Sequence, residues 1–233
     1  MLNRTAERTP NFYARVAGAL YLLLITFNSF DVVYVLYRII VPGDAATTAS
    51  NIMASQSLFR LGLVSHIFGI LCLFLVTLPV YSLFKPVNKD LAALMALFVL
   101  VSVPVLVINM LNHFVALPLL SGADYLTAFT ADQLYAQVML SLDLYDIGYH
   151  VAQIFFSLYF LSLGYLVYKS GYFPRVLGVF LMMGGVAYLI DFFQYFLFPS
   201  YESIILDALE VFGLSEVLFG VWLLVKGVRV ERE

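Results

Sequence analysis

Three histidines, His66, His113 and His150, fall in three separate apolar stretches, and Asp146 stands one helical turn before His150. Zinc accepts imidazole nitrogen and carboxylate oxygen, and three protein ligands with one open position make a catalytic centre. Such a metal lowers the pKa of bound water to about 7 and polarises a carbonyl. His66, His113, His150 and Asp146 are therefore candidate ligands, with the remaining carboxylates orienting the imidazoles. The set contains no His-Glu-x-x-His run and no histidine pair at helical spacing. Each imidazole fits equally a simpler role, hydrogen-bonding a neighbouring Asp, Asn or Tyr and holding helices together.

The acids have two readings as well. Asp31, Asp143, Asp146, Asp191 and Glu210 stand in or beside apolar runs, where intramembrane carboxylates mark cation or proton paths. Burial also raises a carboxylate's pKa, so the same groups can serve as neutral hydrogen-bond donors. In the fourth apolar stretch Asp143, Asp146, His150, Gln153 and Ser157 recur at steps of three and four, one stripe of a helix. Asp191 with Gln194, and Asn28 with Asp31 and Tyr34, repeat the pattern. A polar stripe on a spanning helix faces the bundle or a water-filled cavity.

The elements that carry these groups follow from composition. The 233 residues are 63% hydrophobic and 12% charged, against about a quarter charged in an ordinary soluble domain. Apolar runs long enough to cross a bilayer recur along the whole chain. That excludes a soluble enzyme, a nucleic-acid binder and a secreted disulfide scaffold; Cys72 is the single cysteine. Transmembrane β-barrels alternate in short segments and are excluded too. The reading is all-α: a polytopic bundle of six transmembrane helices in one membrane domain.

The spans are placed at residues 12–41, 58–84, 89–120, 141–169, 174–197 and 203–226, with a short amphipathic helix over 44–55 capped by Asp44. Thr130 and Gln133 form a capping box that opens the fourth helix, and Pro174 suits the first position of the fifth. Pro104 interrupts the third, while Gly178, Gly184 and Gly185 suit close packing on the fifth.

Orientation comes from the basic residues. Arg4, Arg8, Arg15, Lys85, Lys89, Lys169, Arg175, Lys226, Arg229 and Arg232 fall on one side of such a bundle, and only Arg38 and Arg60 on the other. The positive-inside rule then puts both termini in the cytoplasm, in a cytoplasmic (bacterial inner) membrane. At 1.5 Å per residue, Asp31, Asp191 and Glu210 lie about 24 Å from the inner anchors and His150 and Asp146 about 28 to 35 Å. His66, Asn109 and His113 fall near the outer ends of their helices. Glu216, about 15 Å from the inner end of its helix, stands near mid-membrane and is a candidate for a proton path. The net charge of −3 thus splits into a basic inner side and an acidic outer layer.

Several segments together carry a resemblance to a known family. They are Ala14-Arg15-Val16-Ala17-Gly18-Ala19-Leu20-Tyr21-Leu22-Leu23, Val41-Pro42-Gly43-Asp44-Ala45-Ala46, Ser57-Leu58-Phe59-Arg60-Leu61-Gly62 and Leu119-Leu120-Ser121-Gly122-Ala123-Asp124-Tyr125. The clearest runs from Tyr168-Lys169-Ser170-Gly171-Tyr172-Phe173-Pro174-Arg175 through Gly178 to Gly185-Val186-Ala187-Tyr188-Leu189-Ile190-Asp191. On these segments the chain resembles a bacterial family of integral membrane proteins, domain of unknown function 4386, which implies a multi-pass membrane fold and brings no established activity. Three functional classes stand: a protein binding a cation, metal or small molecule, such as a transporter; an intramembrane metal-dependent hydrolase acting on a lipid; and a structural or partner-binding membrane protein. The lipid bilayer is the one partner common to all three.

Overall fold

The structure is a computed structural model that describes residues 9–199 and 202–228, the latter with side chains only from Leu214 onward. Its described residues are helical, without strands. In chain order they form α1 (Pro10–Ser29), a π-helix (Phe30–Leu36), α2 (Tyr37–Ile39), α3 (Ala45–Ala54), α4 (Gln56–Phe84), α5 (Lys89–Phe114), α6 (Ala116–Leu119), a 3-10 turn (Asp124–Ala128), α7 (Ala131–Ser170), α8 (Arg175–Leu197) and α9 (Glu202–Val225). Five stretches among the described residues are long and apolar enough to cross a membrane: Pro10–Ile39, Gln56–Phe84, Lys89–Leu119, Ala131–Ser170 and Arg175–Leu197. The described side chains of α9 add the apolar segment Leu214–Val225.

Local chemistry sets the helix ends. Asp44 accepts from the Thr47 amide at 2.9 Å and from its hydroxyl at 2.7 Å, which starts α3. Thr130 and Gln133 exchange the two bonds of a capping box, at 2.9 and 3.3 Å, ahead of Ala131. With no proline after it, α7 runs 40 residues, ten more at its start than the span placed at 141–169. At about 60 Å it exceeds the roughly 30 Å hydrocarbon layer. Pro174 is the N-cap of α8, with ψ at 131°, and Arg175 is the first helical residue, one position later than expected. α5 continues through Pro104.

The described chain groups into two compact units. One comprises Leu24–Leu71 and Val103–Ala152. In it, α3 ties back to the end of α2: Asn51 donates to the Ile39 carbonyl at 3.0 Å, and the Thr48 hydroxyl bonds the Val41 amide and carbonyl. Those bonds satisfy backbone groups that the end of a helix leaves open.

The other unit comprises residues 1–23, Cys72–Ser102 and Gln153–Glu233. Its helices approach through glycine. A Cβ on Gly178 would lie 2.6 Å from the Gly164 carbonyl, and one on Gly18 would lie 2.8 Å from that of Gly220. Small residues let backbones meet where lipid supplies no hydrophobic drive between helices. Phe84, Phe173, Phe219 and Tyr21 form a continuous ring contact, and the Tyr21 and Tyr159 hydroxyls are hydrogen-bonded. Asn11 accepts from the Val228 amide at 2.9 Å, joining the start of α1 to the end of α9.

The Asp44 cap carries a pH signature. The Thr47 amide and hydroxyl hold its carboxyl below the ordinary carboxylate value. A depressed folded-state pKa gives stability that is full above the unfolded value and is lost as pH falls through the folded one. Hydrogen exchange at the Ala46–Thr48 amides should therefore speed up in Asp44→Ala and change little in Asp44→Asn. The gap between wild type and Asp44→Ala should close only below the ordinary carboxylate range.

Candidate functional site

Asp31 is the second residue of the π-helix and is wholly buried. A carboxylate in such surroundings requires a partner, and Oδ2 stands 2.8 Å from His66 Nδ1. The proton on that bond is assigned to Nδ1 by its acceptor, which leaves Nε2 free to accept. Close approach is possible because α4 presents glycine here. A Cβ on Gly62 would lie 2.5 Å from Asp31 Oδ1 and 3.0 Å from Val35 Cγ1. Further along the same face, Gly69 lies directly against the Asn28 carboxamide, and Ser65 donates to the Phe27 carbonyl at 2.9 Å. Residues 62, 65, 66 and 69 make one helical stripe, so α4 offers α1 a narrow polar groove. The π-helix widens the turn at this point, and such turns are frequent at functional sites.

α5 and α7 complete the cluster. The Tyr145 hydroxyl lies 3.4 Å from each ring nitrogen of His66, a long contact. The Tyr145 ring lies against that of His113, with centroids 4.5 Å apart at 37°. Phe59 meets His113 edge-on at 5.1 Å. Asn109 fixes this arrangement by donating to the Tyr145 backbone carbonyl at 2.7 Å and accepting from Asn112 at 3.2 Å. Gly148 lies directly against the Asn109 carboxamide. His113 is 0% exposed, yet neither ring nitrogen has a hydrogen-bond partner; Asp31 Oδ1 and Asn28 Oδ1 are also buried without one. Buried polar groups are normally paired, so four such atoms in one cluster ask for a reason.

The four-ligand zinc centre does not assemble. His66 and His113 meet around Tyr145, whereas His150 and Asp146 contact each other along α7. His150 Nδ1 donates to the Asp146 carbonyl at 2.9 Å, and the Asp146 carboxylate, 55% exposed, stands 3.6 Å away. Among the described residues no three His, Cys, Asp or Glu side chains are placed to hold a metal ion. The physical reason is rotation about the helix axis. Asp143 and Asp146 turn outward while Gln153 and Ser157 are buried.

The other candidates separate by unit. Asp31, Asn109 and Asp143 belong to the first, and Gln153, Asp191 and Glu216 to the second. Gln153 donates to the half-buried Asp191 at 2.6 Å. Glu216 is half-buried and within electrostatic range of the Tyr21 and Tyr159 hydroxyls. Glu210 lies outside the described side chains. Tyr145, Gly62 and Gly69 escaped the sequence reading. The Gly62–His66–Gly69 stripe was the signal available, small residues flanking a titratable one on a single helix face.

A family model described as "Domain of unknown function (DUF4386)" matches residues 16–227. An uncharacterized protein of Archaeoglobus fulgidus is 31% identical over 177 residues, which is 73% of this chain and 90% of that protein. No solved structure matches the chain.

The Asp31–His66 pair yields a direct test. Removing one partner strands the other, so Asp31→Ala and His66→Ala should each destabilise by about 3–5 kcal/mol. The double variant should cost less than the two together, by about 0.5–3 kcal/mol. Unfolding midpoints of the purified protein in detergent measure the cycle, and strict additivity would mean that the two side chains do not interact.

Proposed function

The chain belongs to the family of domain of unknown function 4386, and we propose that it is a membrane transporter whose Asp31–His66–Tyr145–His113 cluster binds a small cationic or hydrogen-bond-donating ligand. One observation carries the reading: His113 is wholly buried with both ring nitrogens unpaired, within electrostatic range of Asp31, whose Oδ1 is also unpaired. A polar layer that served packing alone would satisfy its own groups, because each unsatisfied group costs about 1–3 kcal/mol. Asp31 Oδ1 and Asn28 Oδ1 are acceptors only, which favours a ligand that brings donors or positive charge. His66, oriented by Asp31, provides a base beside them, so proton movement is available to accompany the ligand.

In the same reading the chain crosses the cytoplasmic membrane six times with both termini inside. The five long apolar helices, the apolar segment Leu214–Val225 and the one-sided distribution of Lys and Arg support it. Metal-dependent hydrolysis finds no supporting arrangement among the described residues.

The test uses proteoliposomes on a solid-supported membrane, exposed in turn to small organic cations, zwitterions and neutral polar solutes under an inward proton gradient. At least one solute class should evoke a charge displacement that Asp31→Asn or His113→Phe abolishes, each variant being checked for insertion and folding. Currents equal to those of protein-free vesicles throughout, with the substitutions affecting only thermal stability, would assign the cluster to helix packing.

A further inference from the structure

Residues 151–190 contain two charged side chains, Lys169 and Arg175, and no acid. They flank the turn that joins α7 to α8, within the unit that holds residues 153–233. Both are exposed, and among the described residues neither has a carboxylate within ion-pair distance. Each lies over a tyrosine ring of α7 instead. Lys169 Nζ is 5.8 Å from the Tyr165 centroid, and the Arg175 guanidinium carbon is 5.6 Å from that of Tyr168. Contacts of this kind hold a cation in place without neutralising it.

The register of the two helices fixes what lies beside those charges. A Cβ on Gly178 would lie 2.7 Å from the Tyr168 amide nitrogen, one on Gly164 2.6 Å from the Gly178 carbonyl, and one on Gly185 2.9 Å from the Ser157 carbonyl. The helices are therefore antiparallel, with Tyr165 level with Val179 and Leu158 level with Val186. Tyr165 and Lys169 each follow a contact residue, Gly164 or Tyr168, by one step of about 100°, and Val179 follows Gly178 likewise. In antiparallel helices these steps turn to the same side. That side carries an apolar track: Leu158 and Tyr165 on α7, with Val179, Met183 and Val186 on α8, are 36–46% exposed. From Arg175 to Val186 the track runs about 17 Å, close to half of the roughly 30 Å hydrocarbon layer.

Two unneutralised cations at the head of an apolar groove match a phosphodiester that carries acyl chains. Arginine offers parallel N–H donors to phosphate oxygens, and lysine adds a compact charge. The start of α8 places the positive end of a helix dipole at the same turn. A free anion leaves the track empty, and a zwitterionic headgroup brings its own cation against the two already there.

We propose that Lys169 and Arg175, set over Tyr165 and Tyr168, bind the phosphate of an anionic phospholipid whose acyl chains lie along the α7–α8 track. The site shares no residue with the Asp31–His66 cluster and takes a different ligand. It ties the stability of the protein to the acidic lipid content of its membrane.

The experiment titrates the full chain in a neutral detergent and reads its thermal unfolding midpoint. The probes are phosphatidylglycerol, phosphatidylcholine with the same acyl chains, and glycerophosphoglycerol, the anionic headgroup without chains. Phosphatidylglycerol should raise the midpoint as the site fills, at a concentration ~tenfold or more below that needed of phosphatidylcholine. The bare headgroup should have no effect. The exposed pair Lys169→Gln with Arg175→Gln should raise the half-effective phosphatidylglycerol concentration ~tenfold or more. Lys85→Gln with Lys89→Gln removes the same charge from two exposed positions of the same unit and should leave that concentration unchanged. Equal responses to the two lipids would overturn the proposal, as would a bare headgroup as effective as the lipid or equal losses in the two double variants. Because none of these substitutions touches the Asp31–His66 cluster, failure here leaves the reading of that cluster as it stands.

Discussion

A carboxylate buried among apolar helices has to be matched, and much of this structure serves that requirement at Asp31. Its contact with His66 demands that α1 and α4 approach to side-chain distance, which only a groove floored by Gly62 and Gly69 allows. The wider π turn carries Asp31 at that point. Asn28 and the Phe27 carbonyl meet α4 on the same stripe. Alanine at position 62 would push into both Asp31 and Val35, so the register of the two helices and the polarity of their seam are one feature. In a lipid surround, where no hydrophobic force draws helices together, such polar and small-residue contacts set which faces meet.

The same logic explains why α5 and α7 join. Asn109 reaches past its own helix to a backbone carbonyl of α7, and that single bond holds Tyr145 between two imidazoles. The cluster is then half satisfied: the Asp31–His66 side is paired, while the His113 side is not. Such an arrangement costs stability, and low local dielectric makes the unpaired groups costly in proportion. Between α7 and α8, too, Gln153 and Asp191 are joined while the side-chain oxygens of Gln153, Ser157 and Gln194 are buried without a hydrogen-bond partner.

The helices were legible because a bilayer imposes long apolar runs, and runs interrupted by Pro42-Gly43, Pro86 and Ser170-Gly171 announce their own ends. Caps were equally plain, since Asp44 and the Thr130–Gln133 box act through neighbours three residues away. Asp31, His66, His113, Asn109 and Gln153 were recognisable as buried polar groups for the same reason. Which of them meet was not. Rise per residue reports depth along a helix, whereas contact depends on rotation about it, and the π turn alters that rotation with no sequence mark. Asp146 and His150 therefore looked equivalent to His66 and His113 in depth, yet they pair along α7 instead. Tyr145 was invisible because it lies off the Asp143–Asp146–His150 stripe and owes its place to Asn109.

Magic-angle-spinning NMR of the protein in bilayers, with labelled histidine and aspartate, reads the central interaction most directly. The account predicts a His66 Nδ1 that retains its proton against exchange with bulk water and shows a through-space correlation to the Asp31 carboxyl carbon. A His66 ring in free exchange with water, without that correlation, would contradict it.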